Sequence, residues 1–148
     1  MKALTLVAVL LFTAVQMRAQ YVTIPDTAFV NWLQSLYSGA LADCMVGDQL
    51  DTTCPALVSE NALSVSNFGI SDLTGVQYFD NLSGLSCAFN NLTFLPPLPG
   101  TLTHLSCEYN QLASLPALPN GLTNLSCYSN NLTALPPLPG ALKQLWCT

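Results

Sequence analysis

Positive charge is almost missing from this chain: 148 residues hold three Lys and Arg, eight Asp and Glu, and one histidine. A surface so poor in bases cannot neutralise phosphates, which argues against nucleic acid and anionic membranes as partners. With a single histidine, His104, acid–base chemistry has little to draw on. No G-x-S-x-G turn, H-E-x-x-H pair, glycine-rich phosphate loop or C-x-x-C hairpin occurs, so no catalytic residue, metal ligand or cofactor site can be picked out. Ser106 and His104 point out of one expected strand two residues apart, but no third group is placed to orient the imidazole as a hydrolase would need.

Long apolar runs are equally scarce. One occurs, Ala3 to Val15, preceded by Lys2 and followed by Met17-Arg18-Ala19. At about 13 residues it is too short to span a bilayer, and its flanks are those of a secretory signal peptide over residues 1–19. Cleavage after Ala19 leaves one base, Lys143, against all eight acids, a net charge of −7.

What is abundant is repetition. LSCAFNNLTFLPPLPGTLTH starts at Leu85, LSCEYNQLASLPALPNGLTN at Leu105 and LSCYSNNLTALPPLPGALKQ at Leu125, and LWCT opens a fourth copy at Leu145. A fixed period of this size defines a solenoid, in which each copy is one rung and the core forms by stacking. Five leucine columns (Leu92, Leu95, Leu98, Leu102 and Leu105 with their equivalents) and one cysteine column (Cys87, Cys107, Cys127, Cys147) are expected to face inward. Leu-Ser-Cys alternates with the period of a strand, and strands from successive rungs must pair in parallel. Leu-Pro-x-Leu-Pro disfavours helix on the return path, leaving it extended or polyproline-like. Gly100, Asn120 and Gly140 mark a tight turn and are expected to use positive φ. Asn90, Asn110 and Asn130 are placed to bond backbone groups of their own and the next rung.

These columns resemble the leucine-rich repeat, L-x-x-L-x-C-x-x-N-x-L-x-x-L-P-x-L-P. The 20-residue proline-rich form is similar to the short class of bacterial type III effectors and secreted surface proteins. Leu63 to Leu85 is two residues longer, and ISDLTGVQYFDNLSGL resembles the 22-residue repeats of internalin-like proteins. Phe68 takes the asparagine position there, so the ladder is expected to begin at Asn90. The resemblance implies an α/β solenoid with a parallel sheet on its concave face, a function in adhesion or recognition, and an extracellular or bacterial-surface location. Sequence ends inside a strand without a terminal cap, an open edge that calls for more chain beyond it. In the resembling family, further repeats and a sorting domain often follow.

Residues 20–61 do not repeat and form the N-terminal cap, ahead of rungs over 62–148. Asp26 is the expected N-cap of a short helix burying Phe29, Trp32, Leu33 and Leu36. Cys44 and Cys54 are expected to close a disulfide, as in an exported protein, stabilising the cap by roughly 2–3 kcal/mol. Asp43, Asp48 and Asp51 lack the order of a calcium loop. Four thiols in a line at strand spacing cannot converge on one zinc, so the cysteine column reads as small buried apolar groups.

What varies between copies lies outside. His104, Glu108, Tyr109, Asn124, Tyr128, Gln144 and Trp146 are the candidate ligand-binding residues, an amphipathic patch suited to protein or glycan contacts. The alternative is a non-catalytic accessory or spacer domain of a larger secreted enzyme. Oligomeric state is not specified by any of these features.

Overall fold

A computed structural model describes residues 20–35 and 42–147. The leader segment 1–19, Leu36 and Thr148 lie outside the described residues.

The cap is more elaborate than one helix. Strands β1 (Tyr21–Thr23), β2 (Met45–Val46) and β3 (Gln49–Asp51) form an antiparallel sheet in the order β1-β3-β2. Helix α1 (Thr27–Ser35) packs Phe29, Val30, Trp32 and Leu33 inward, and α2 (Pro55–Ser59) follows with Pro55 in its first turn. Strands of two or three residues are too short to show alternation, which is why periodicity passed over them. Cys44 and Cys54 form a disulfide with Cα atoms 5.5 Å apart, tying the turn before β2 to the start of α2.

Asp26 does more than cap α1. Its Oδ1 accepts the Phe29 N–H at 2.8 Å, as a capping residue should. Oδ2 accepts the Ser71 N–H and hydroxyl, both at 2.7 Å, and the Asp72 N–H at 3.3 Å. One buried carboxylate thus fastens the cap to the first rung. Burial pushes its pKa up, but the donors from Ser71, Phe29 and Asp72 outweigh burial and hold it below the ordinary carboxylate value. Gly75 completes the junction at φ 114°, where a Cβ would run into Ile24 of the cap.

The solenoid sheet is parallel throughout. Strands β4 (Ala62–Ser64), β5 (Gly84–Ser86), β6 (His104–Ser106), β7 (Asn124–Ser126) and β8 (Gln144–Trp146) lie in sequence order. Leu63, Leu85, Leu105, Leu125 and Leu145 stand opposite one another. The central leucine of each strand points into the core and its neighbours to the concave face. The return paths carry no helix in the proline-rich rungs, and the longer first rung fits one 3-10 turn, Val76–Tyr78, and a fully buried Phe79.

Asparagine forms the ladder, directed opposite to the expected sense. Asn110 Nδ2 donates to Cys107 and Glu108 carbonyls of its own rung and to Cys87 O of the preceding one, at 3.0 to 3.2 Å. Its Oδ1 accepts the Leu92 N–H, also from the preceding rung. Asn130 repeats the pattern. Asn90 opens it, accepting from Phe68 and Ile70 and donating to Val65 O. Cys87 faces the following rung with both backbone groups, its N–H bonding Ser106 O and its carbonyl accepting from Asn110, and the Leu92 N–H faces the same way, so each asparagine reaches back.

Two further expectations are corrected. The Gly100, Asn120 and Gly140 turns exist, closed by Leu102 N–H to Pro99 O and its equivalents at 3.0 to 3.1 Å, but without positive φ. Positive φ falls instead at Asn67, Phe89, Tyr109 and Ser129, where the chain swings from the strand into the asparagine. A turn closed three residues on can keep both central residues at negative φ, and this one does. Also, the Leu98 column lies at the edge of the core and not inside it, with Leu98 and Leu118 packed against it from outside. Leu98 and Leu118 are half-buried and Leu138 is 47% exposed. In the first copy Pro96 and Pro99 occupy the buried positions on either side.

Three outcomes test this packing. Leu115→Ala, at a site 7% exposed, should cost about 2–5 kcal/mol in urea unfolding; under about 1 kcal/mol would contradict a stacked core. Asn110→Ala leaves several backbone groups unpaired and should cost roughly 1–3 kcal/mol or more, again by urea titration. Because the Asp26 pKa is depressed on folding, its contribution is present above the unfolded value of about 3.9 and fades as pH falls through the folded one. Asp26→Asn should therefore lower stability at neutral pH and flatten the acid limb of a Tm-versus-pH profile.

Candidate ligand-binding face

The stacked strands project one residue before and one after each buried leucine onto the concave face. The leading column reads Ala62, Gly84, His104, Asn124, Gln144; the trailing column reads Ser64, Ser86, Ser106, Ser126, Trp146. Small residues in the first strands leave a cavity of ≈ 450 Å³ against the cap. Trp32 of α1 forms one wall and Ala62, Ser64, Gly84, Ser86, His104 and Ser106 contribute to the rest. Trp32 was assigned to the cap core; it is 3% exposed and does both. The signal was present in the sequence as two missing side chains, Ala62 and Gly84, at the head of a column that later carries His, Asn and Gln.

The candidate residues fall into four groups. His104 is exposed beside the cavity, its Nδ1 2.8 Å from Thr103 Oγ1. Asn124 and Gln144 are bonded to each other through their amides, and Thr123 Oγ1 donates to Asn124 Oδ1. Trp146, 50% exposed, stands across from Ser126 on β8. Glu108, Tyr109 and Tyr128 gather at the margin where the chain leaves the sheet, together with Phe89. The Phe89 and Tyr109 rings stack with centroids 4.3 Å apart at 15°, and Tyr128 meets Tyr109 edge-on at 5.2 Å and 78°. Partial burial, Tyr109 and the Glu108 charge raise the Tyr128 phenol above its ordinary pKa.

Behind this face the cysteines form a column. Cys87, Cys107 and Cys127 are buried and free, and Cys147 is exposed. Cys87 and Cys107 donate weakly to Ser106 and Ser126 carbonyls at 3.3 and 3.4 Å. Burial, then the Glu108 charge, pushes the Cys87 pKa up to about 12; burial and neighbouring thiols raise Cys107 further, and Cys127 reaches about 11. Among the described residues no group of three His, Cys, Asp or Glu could hold a metal, and no helix is long and apolar enough to cross a membrane.

A parallel sheet in register, inward leucines, an asparagine ladder and an extended convex side define a leucine-rich-repeat solenoid. No family model and no curated protein matches the sequence. Solved structures do. The fold is similar to the functional domain of InlJ from Listeria monocytogenes, which includes a cysteine ladder: TM-score 0.67, 28% identity, 88% of this chain and 29% of that one. It is also similar to a Shigella effector leucine-rich-repeat domain, with TM-score 0.54, 27% identity, 78% of this chain and 50% of that one. YopM from Yersinia enterocolitica WA-314 is 43% identical over 46% of this chain and 15% of its own, at TM-score 0.46. The chain therefore spans half or less of each of these structures.

A thiol reagent checks the column. Only the thiolate reacts, so in native protein Cys147 should label fast while Cys87, Cys107 and Cys127 wait for unfolding. Rapid modification of Cys107 would disprove the burial.

Proposed function

We propose that this chain is a secreted or surface-exposed leucine-rich-repeat module that binds a protein partner through its concave face. The observation that carries the reading is a contrast within the repeats. In the 20-residue copies the inward columns hold Leu, Cys and Asn unchanged, while the outward positions, a serine column up to Ser126 aside, change from rung to rung and gather His104, Glu108, Tyr109, Tyr128 and Trp146. Packing demands the first set; nothing in packing demands the second. Aromatic and amphipathic side chains on a sheet face are those that supply binding energy at interfaces.

Export is supported by the leader-like residues 1–19 and by the Cys44–Cys54 disulfide, which persists in an oxidising compartment. Short proline-rich rungs support the likeness to the bacterial class that the sequence resembles, and adhesion is the role that likeness suggests. The acidic surface disfavours nucleic acid.

A binding screen of residues 20–148 against host-matrix proteins and a glycan array tests the reading, with a Trp146→Ala, Tyr128→Ala double variant alongside. Saturable protein binding that falls at least about tenfold in a folded variant is the expected result. Binding to glycans alone would replace a protein partner with a carbohydrate one. A well-folded chain that binds nothing would favour a spacer role.

A further inference from the structure

We propose that Glu108, Phe89, Tyr109 and Tyr128 form a receptor for an arginine side chain of the protein partner; this rests on the concave-face reading above. Glu108 is half-buried, and its Oε2 is shielded from solvent without a hydrogen-bond partner among the described residues. The Glu108 charge is therefore only partly hydrated, and a cation seated on the exposed rings beside it would offset that cost. The chain does little to provide one, since Lys143 and His104 are its basic side chains in residues 20–148 and neither bonds that oxygen.

The rings supply the rest of the site. Phe89 and Tyr109 are 53% and 44% exposed, stacked on each other, with Tyr128 edge-on. Aromatic faces attract cations, and a planar guanidinium stacks flat on a ring while its charge stays beside a neighbouring carboxylate, which a compact ammonium does less well. Glu108 occurs once in its column, replaced by Ala88 in the preceding rung and Tyr128 in the next. The single acid therefore sits where the ring cluster is.

Backbone conformation adds an independent observation. The position of Phe89 and Tyr109 has φ of 55° and 53°, a region that bulky residues rarely enter. In the first rung the same position is filled by Asn67, which tolerates it, and in the last by Ser129. Folding does not call for aromatic residues there, and an outlier held by bulky side chains points to use. The net charge of residues 20–148 draws basic segments toward the surface.

The test uses residues 20–148 and three probes: blocked tetra-arginine, tetra-lysine and tetra-glutamine peptides, titrated at low and physiological salt. Tetra-arginine should bind saturably and perturb Tyr109 and Tyr128 resonances, tetra-lysine more weakly, tetra-glutamine not at all. Glu108→Gln, which keeps the shape and removes the charge, should weaken tetra-arginine about tenfold or more, whereas Asp80→Asn, an exposed acid elsewhere, should not. Equal loss in both variants would reduce the effect to general attraction and overturn the proposal. So would tetra-arginine binding without a change at Tyr109 and Tyr128, a result readable on the wild type alone should a variant misfold. A partner protein that loses affinity with Trp146→Ala but not with Glu108→Gln would leave the concave-face reading standing and remove this site.

Discussion

A peptide chain that leaves a three-residue strand and bends sharply into an extended return path strands its own polar groups. Among the described residues, carbonyls of Cys87 and Cys107 take no bond from a neighbouring backbone, and the Leu92 amide gives none to one. No water can serve them inside the stack. The asparagine amide, with two donors and an acceptor on a short arm, is matched to that geometry. Because each asparagine also reaches back one rung, closing a turn and stacking a turn become one event. Leucines make the interior apolar, but the amide sets the spacing at which they meet.

The repeated part of this fold was readable because repetition turns one sequence into three independent measurements of the same environment. Leu92, Leu112 and Leu132 share a column, and so do Cys87, Cys107 and Cys127; strand, parallel pairing and inward faces follow. What escaped were features that depend on direction or on single copies. Nothing in the Asn110 column says whether its amide reaches forward or back; that is set by the Cys87 carbonyl and the Leu92 N–H, which both face it from the preceding rung. Leu98 looked like its fellow leucines, yet the flanking prolines took the buried places. The short β1, β2 and β3 strands leave no periodic trace at all. For the binding face, variation between rungs located the candidate residues, while the cavity beside Trp32 depended on a cap–rung approach that only coordinates show.

The αL column shows how a structural requirement can carry a second use. Each of the first four rungs places one residue at positive φ where the chain leaves the strand. Asn67 meets the requirement at low cost, and Ser129 without bulk. Phe89 and Tyr109 meet it while projecting rings off the edge of the sheet, beside a carboxylate whose one oxygen is left without a donor. Strand geometry thereby delivers aromatic side chains at a fixed interval, each a rung apart, on a platform too rigid to collapse over them.

Identical rungs carry a hidden ambiguity: slid along by one whole repeat, Leu105 would fit where Leu125 sits, and every asparagine would still find its carbonyls. Translation by a repeat is nearly a symmetry of the sequence. It is broken at one place, where the first rung is two residues longer, lacks the asparagine, and is seized by Asp26 through Ser71 and Asp72. The junction thus acts as the origin of the molecule's ruler. Every later strand pairs in turn with the one before it, so Asp26 and Gly75 fix where the count begins.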